Sequence, residues 1–142
     1  MKDGNEIKLI LWDTAGQERF HSIATSTIKG SHGIALTFNL TKKTSFDNLE
    51  IWLKDIKDNN DEVPVVLFGN KCDLFDEYEV EDKAAKNFAK EHNLKYFETS
   101  AKQNINIQDG FNAIIEMAYE KYSGRNSLDL RKPNKKTDKK KC

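Results

Sequence analysis

The chain has 142 residues, enough for one domain and too few for two, and its 37% hydrophobic content can build a core under a surface that is 32% charged. Its 23 Lys/Arg and 23 Asp/Glu cancel, yet eight Lys/Arg against two Asp fall from Arg125 onward, giving a +6 tail on a −6 body; the body has no basic patch with interleaved aromatics, which excludes nucleic-acid binding. No apolar run approaches the roughly 18 residues of a membrane span, no signal-peptide pattern opens the chain, and Cys72 and Cys142 lie too far apart for a disulfide framework, which points to a reducing cytosol.

In chain order, Asp3-Gly4 reads as a tight turn, because Asp-Gly supplies the φ > 0 positions a hairpin needs. Ile7 to Trp12 reads as the strand after that turn. It delivers Asp13 to a strand end, with Gly16 and Gln17 close behind. An Asp there can hold Mg²⁺ through water, a Gly lets a backbone N–H approach a phosphate, and a Gln can orient an attacking water. The plainer reading of Asp13 is a cap on backbone N–H groups in a turn.

Gly33–Asn39 is a short apolar run that predicts a buried strand. Thr44 with Asp47 resembles a capping box, and Phe46, Leu49, Trp52, Leu53 and Ile56 then share one helical face. Val63–Gly69 predicts a second buried strand. Ala84, Ala85, Phe88, Ala89 and His92 form a helical stripe, and Lys95–Thr99 a short strand. Ile107, Phe111, Ile114, Ile115, Ala118 and Tyr122 make the strongest amphipathic helix, stopped by Gly124. The alternation predicts an α/β fold, a mostly parallel sheet with helices on both faces.

Three blocks, Trp12-Asp-Thr-Ala-Gly-Gln-Glu-Arg-Phe20, Asn70-Lys71-Cys72-Asp73 and Ser100-Ala101-Lys102, resemble in this order the Ras superfamily of small GTPases, and Gln17–Phe20 resembles its Rab branch. No G-x-x-x-x-G-K-[ST] phosphate loop is present in the 142 residues. The expectation is therefore a partial small-GTPase-like domain over 1–123, N-terminally truncated, with first strand, phosphate loop and first switch absent. A disordered basic tail is expected over 124–142.

The resemblance implies a nucleotide site of Asp13, Thr14, Ala15, Gly16, Gln17, Asn70, Lys71, Asp73, Ser100, Ala101 and Lys102. Gln17 would be catalytic and Asp13 would support Mg²⁺ through water, with GTP or GDP as ligand. Guanine offers two donors on one edge. Asp73 could accept both, whereas adenine presents the opposite pattern. Asn70 would tie neighbouring loops, Ala101 N–H would meet guanine O6, and the Lys71 and Lys102 stems would cover the base. Asp73 and Ala101 stand 28 residues apart, room for the helix and strand that bring the two loops together.

The implied partners are a guanine-exchange factor, a GTPase-activating protein and effectors on the region Trp12–Phe20. Core packing of Trp12 and Phe20 is the competing reading. Cys72 reads as packed and inert, the three histidines as surface or core, and Trp52 as core. The basic tail fits an anionic membrane, with Cys142 as a lipidation candidate, although the ending is neither C-a-a-X nor paired cysteines. An unmodified solvated linker is the alternative. The implied function is a slow GTP-hydrolysing switch in membrane trafficking, cytoplasmic and peripheral on endomembranes if lipidated. The alternative is a nucleotide-free pseudo-GTPase acting as a binding module.

Overall fold

A computed structural model describes residues 4, 6–11 and 21–123. The order is α1 (His21–Lys29), β1 (Ile34–Asn39), α2 (Lys43–Asp47), α3 (Leu49–Asn59), β2 (Val65–Asn70), a 3-10 turn (Phe75–Glu77), α4 (Asp82–Glu91), β3 (Lys95–Glu98) and α5 (Ile107–Ser123). Each strand of the three-stranded sheet runs parallel to its neighbour, in the order β1-β2-β3. The register pairs Leu36 with Leu67 and Leu67 with Tyr96.

The central strand is an unbroken apolar run because both of its faces are covered. Leu36, Phe38, Val65 and Leu67 join Leu49, Leu53 and Ile56 of α3 and Ala85, Phe88 and Ala89 of α4 in one core. The alternate residues Val66 and Phe68 pack with Ala113 and Ile114 of α5 in the other. That two-residue alternation places helices on both faces, as expected from the sequence. Gly110 lets α5 lie close to the sheet: a Cβ there would come within 2.5 Å of the Phe68 ring.

Three local expectations are corrected. Residues 6–11 are not a strand: no ladder partner stands beside them among the described residues, and Leu9 and Ile10 are exposed. Of the Asp3-Gly4 turn, Gly4 lies in a turn at φ +77° and Asp3 lies outside the described residues. The Thr44/Asp47 capping box does not form, because α2 begins one residue before Thr44. Lys42 occupies the cap position without a side-chain bond, and Lys43 N–H donates to Glu79 Oε1 at 3.0 Å instead. Third, the single helix read from Phe46 to Ile56 is divided at Asn48. Its apolar face survives, with Leu49, Leu53 and Ile56 buried and Phe46 and Trp52 packed against them.

Candidate functional site: two loops at the carboxyl end of the sheet

Strand β2 ends at Asn70, and the next residue turns the chain sharply. Lys71 has φ +66°, the left-handed region that costs a side-chain-bearing residue about 1 kcal/mol. Its carbonyl accepts Leu74 N–H at 3.0 Å, closing a turn that carries Cys72 and Asp73. Parallel pairing brings the end of β3 alongside. Thr99 N–H donates to Gly69 C=O at 2.8 Å, and Cys72 N–H donates to Thr99 C=O at 2.9 Å.

The side chains complete the union. Ser100, fully buried, donates from Oγ to Asp73 Oδ1 at 2.8 Å and accepts Gln103 N–H at 3.0 Å. Asn70 Oδ1 accepts Ala101 N–H at 3.1 Å and Thr99 Oγ1 at 3.4 Å. Lys71, Ala101 and Lys102 are exposed at the mouth, and Asp73 is half-buried. Asp73 thus presents an oriented carboxylate. One bond to Ser100 leaves acceptor capacity on a group with about four lone-pair sites. The arrangement can take a ligand edge carrying adjacent N–H donors. Ala101 N–H is already engaged by Asn70, so a carbonyl arriving there must share or displace that bond.

Several contributors carried no signal in the three blocks. Thr99 is buried and bridges the loops through its backbone. Ser100 and Ile105 exchange both backbone bonds, at 3.1 and 2.9 Å, and Asn106 Nδ2 donates to Glu98 C=O at 2.8 Å. Asn104 and Asn106 both adopt positive φ, at +56° and +57°. The spacing Asn104-x-Asn106 after Ser100 was the available clue, since Asn tolerates this conformation better than other residues with a side chain.

The surroundings hold protons tightly. Burial, followed by the nearby Glu98 and Asp73 charges, raises the Cys72 thiol, which supports a packed, unreactive cysteine. Tyr78 donates to Cys72 C=O at 3.0 Å, and burial with Glu98 beside it pushes its hydroxyl up to about 12. Tyr96 is raised for the same two reasons, and its hydroxyl is buried beside Gly69 with no partner among the described residues. Burial and then the neighbouring Asp82 raise the Glu98 carboxyl, while the Lys86 bond holds Asp82 low.

The structure therefore brings together Asn70, Lys71, Asp73, Ser100, Ala101 and Lys102. Asp13, Thr14, Ala15, Gly16 and Gln17, with the flanking Trp12 and Phe20, lie outside the described residues, as does Cys142. No cluster of three or more metal-ligating side chains occurs among the described residues.

A family model, the Ras family, matches residues 1–120. The chain is 41% identical to Ras-related protein Rab-13 of Rattus norvegicus over 133 residues, 93% of this chain and 66% of that protein. It is 42% identical to Ras-related protein Rab-10 of Diplobatis ommata over 144 residues, covering 98% and 72%. It is 39% identical to GTP-binding protein YPTM1 of Zea mays over 133 residues, covering 93% and 64%. The chain thus spans about two thirds of the length of these relatives.

The family match also corrects one expectation. It starts at residue 1, so the reading of a truncated domain without first strand, phosphate loop and first switch gives way to a Ras-family domain matched across 1–120. With that match, and with a relative 42% identical of which 72% is covered, the chain belongs to the Ras family, among its Rab-like members.

Proposed function

We propose that this chain binds guanine nucleotide through the two joined loops and works as a GTP-hydrolysing switch in membrane trafficking. The observation that carries the reading is the Ser100–Asp73 bond at 2.8 Å. It ties the two base loops and aims a carboxylate at the mouth between them. In this reading Asp73 accepts the paired donors of guanine. Lys71 and Lys102 lie over the base, Ser100 and Asn70 hold the loops, and Ala101 N–H meets the base carbonyl by sharing its bond with Asn70. Thr14, Ala15 and the Gly16 N–H face the phosphates, and Gln17 orients the hydrolytic water. Mg²⁺, when bound, supplies charge neutralisation at the phosphates; among this chain's residues it enters the proposal through Asp13 alone. Exchange factors, GTPase-activating proteins and effectors would read the Trp12–Phe20 region. The basic tail, with Cys142 lipidated, would hold the protein on the cytosolic face of endomembranes.

The test is titration with a fluorescent GDP analogue, competed with GDP and ADP. The expected result is displacement by GDP alone, lost on Asp73→Ala with helix content unchanged. Equal displacement by ADP would refute the base reading. Binding that survives Asp73→Ala would remove Asp73 from the site.

A further inference from the structure

The opposite end of the sheet carries a second concavity. A cleft of about 610 Å³ lies where β2 and β3 begin, between the last turns of α3 and α5. Its floor includes Ile56, Val65, Leu94 and Met117. Its rim carries three carboxylates, Asp61, Glu62 and Glu120, against two lysines, Lys57 and Lys121. Lys121 faces Glu62 at 3.8 Å, whereas no cation pairs with Asp61 or Glu120 among the described residues.

The chain continues from this spot. Helix α5 ends at Ser123, three residues past Glu120, and Gly124 follows, the residue type that most readily reverses a chain after a helix. Leu128 and Leu130 are the only leucines beyond Ser123. Spaced by one residue, they fall on the same side of an extended segment. Five residue steps from Ser123 reach up to about 17 Å, ample for a cleft walled by the same helix. Arg131 and Lys132 come next, and the segment's net charge of +6 opposes the body's −6.

We propose that this cleft seats the chain's own tail, with Leu128 and Leu130 on the apolar floor and Arg131 and Lys132 beside Asp61 and Glu120. Apolar burial supplies most of the affinity and the carboxylates fix the direction. The inference goes beyond the nucleotide reading and does not depend on it, since the two sites lie at opposite ends of the strands.

The experiment is paramagnetic broadening in the full chain, with a nitroxide on Ser127→Cys in a Cys72→Ser, Cys142→Ser background. The amides of Asn93 and Leu94 should lose most of their intensity while Lys71 and Ala101 keep theirs. Leu128→Asp with Leu130→Asp should restore the signals. Asp61→Lys with Glu120→Lys, or about 0.5 M NaCl, where the Debye length falls to about 4 Å, should restore them in part. Uniform signals in the labelled parent would overturn the proposal. So would broadening that persists in the double-leucine variant. A mixture of labelled chain with isotope-enriched unlabelled chain covers the remaining occupant: broadening there would assign the cleft to a second copy and overturn the assignment to the chain's own tail.

Discussion

Replacing Ser100 by Ala tests the bond that joins the two loops. Ser100 is fully buried, and its hydroxyl both donates to Asp73 and accepts Gln103 N–H. A hydrogen bond to a charged acceptor contributes about 1.5–3 kcal/mol, but Asp73 is half-buried and water can recover part of that. Gln103 is exposed, so its N–H loses little. The net cost should be about 2 kcal/mol. With roughly 2.1 cal/mol/K per residue over about 110 described residues, Tm should fall by about 9 °C. Thermal unfolding followed by circular dichroism reads this directly. A cycle with Asp73→Ala isolates the pair, whose coupling should exceed about 1 kcal/mol. If the two substitutions simply add, or if Ser100→Ala moves Tm by less than about 2 °C, the bond does not hold the loops and the argument for the base site fails. GDP affinity should fall about tenfold in the same variant, which is about 1.4 kcal/mol.

Lys71→Gly should raise stability by about 1 kcal/mol, because glycine adopts φ +66° without strain, yet weaken GDP binding through loss of the stem over the base; a fall in both would show that Lys71 also packs. Gly110→Ala should destabilise by about 1–2 kcal/mol in denaturant titration. The clash with the Phe68 ring outweighs about 1 kcal/mol of helix propensity, and a gain would mean that the ring moves freely aside. Glu98 is raised above its ordinary 4.5 in the folded chain, so its contribution is full below that pH and is lost as pH climbs through the folded value. Glu98→Gln should therefore raise Tm at pH 7 and remove the part of the Tm–pH curve that falls as pH climbs above 4.5; a lower Tm at pH 7 would assign the carboxylate a favourable partner instead.

Much of this was legible because the signals were periodic. Leu36, Phe38, Val66 and Phe68 sort between the two cores by strand alternation, and Leu49, Leu53 and Ile56 by helical spacing. The loops carrying Asn70–Asp73 and Ser100–Lys102 follow from strands of the right length. What escaped depends on partners distant in sequence. Glu79 reaches 36 residues back to bond Lys43 N–H, so the Thr44/Asp47 pattern had a competitor that no local reading sees. Asn70 was read as tying the loops, but not that its Oδ1 does so by accepting Ala101 N–H, 31 residues away. Residues 6–11 alternate like a strand, but a strand is made by its neighbour, and among the described residues β1 pairs with β2 alone.

The stitches between the loops that end β2 and β3, Cys72 to Thr99, Ser100 to Asp73 and Ala101 to Asn70, are all formed. On the proposed reading, a base would meet loops already tied to one another. Association through these loops should then be a single phase with a rate linear in concentration. Differences among purines should emerge in how long each resides, set by whether its edge satisfies Asp73 and is worth the Asn70 bond it disturbs.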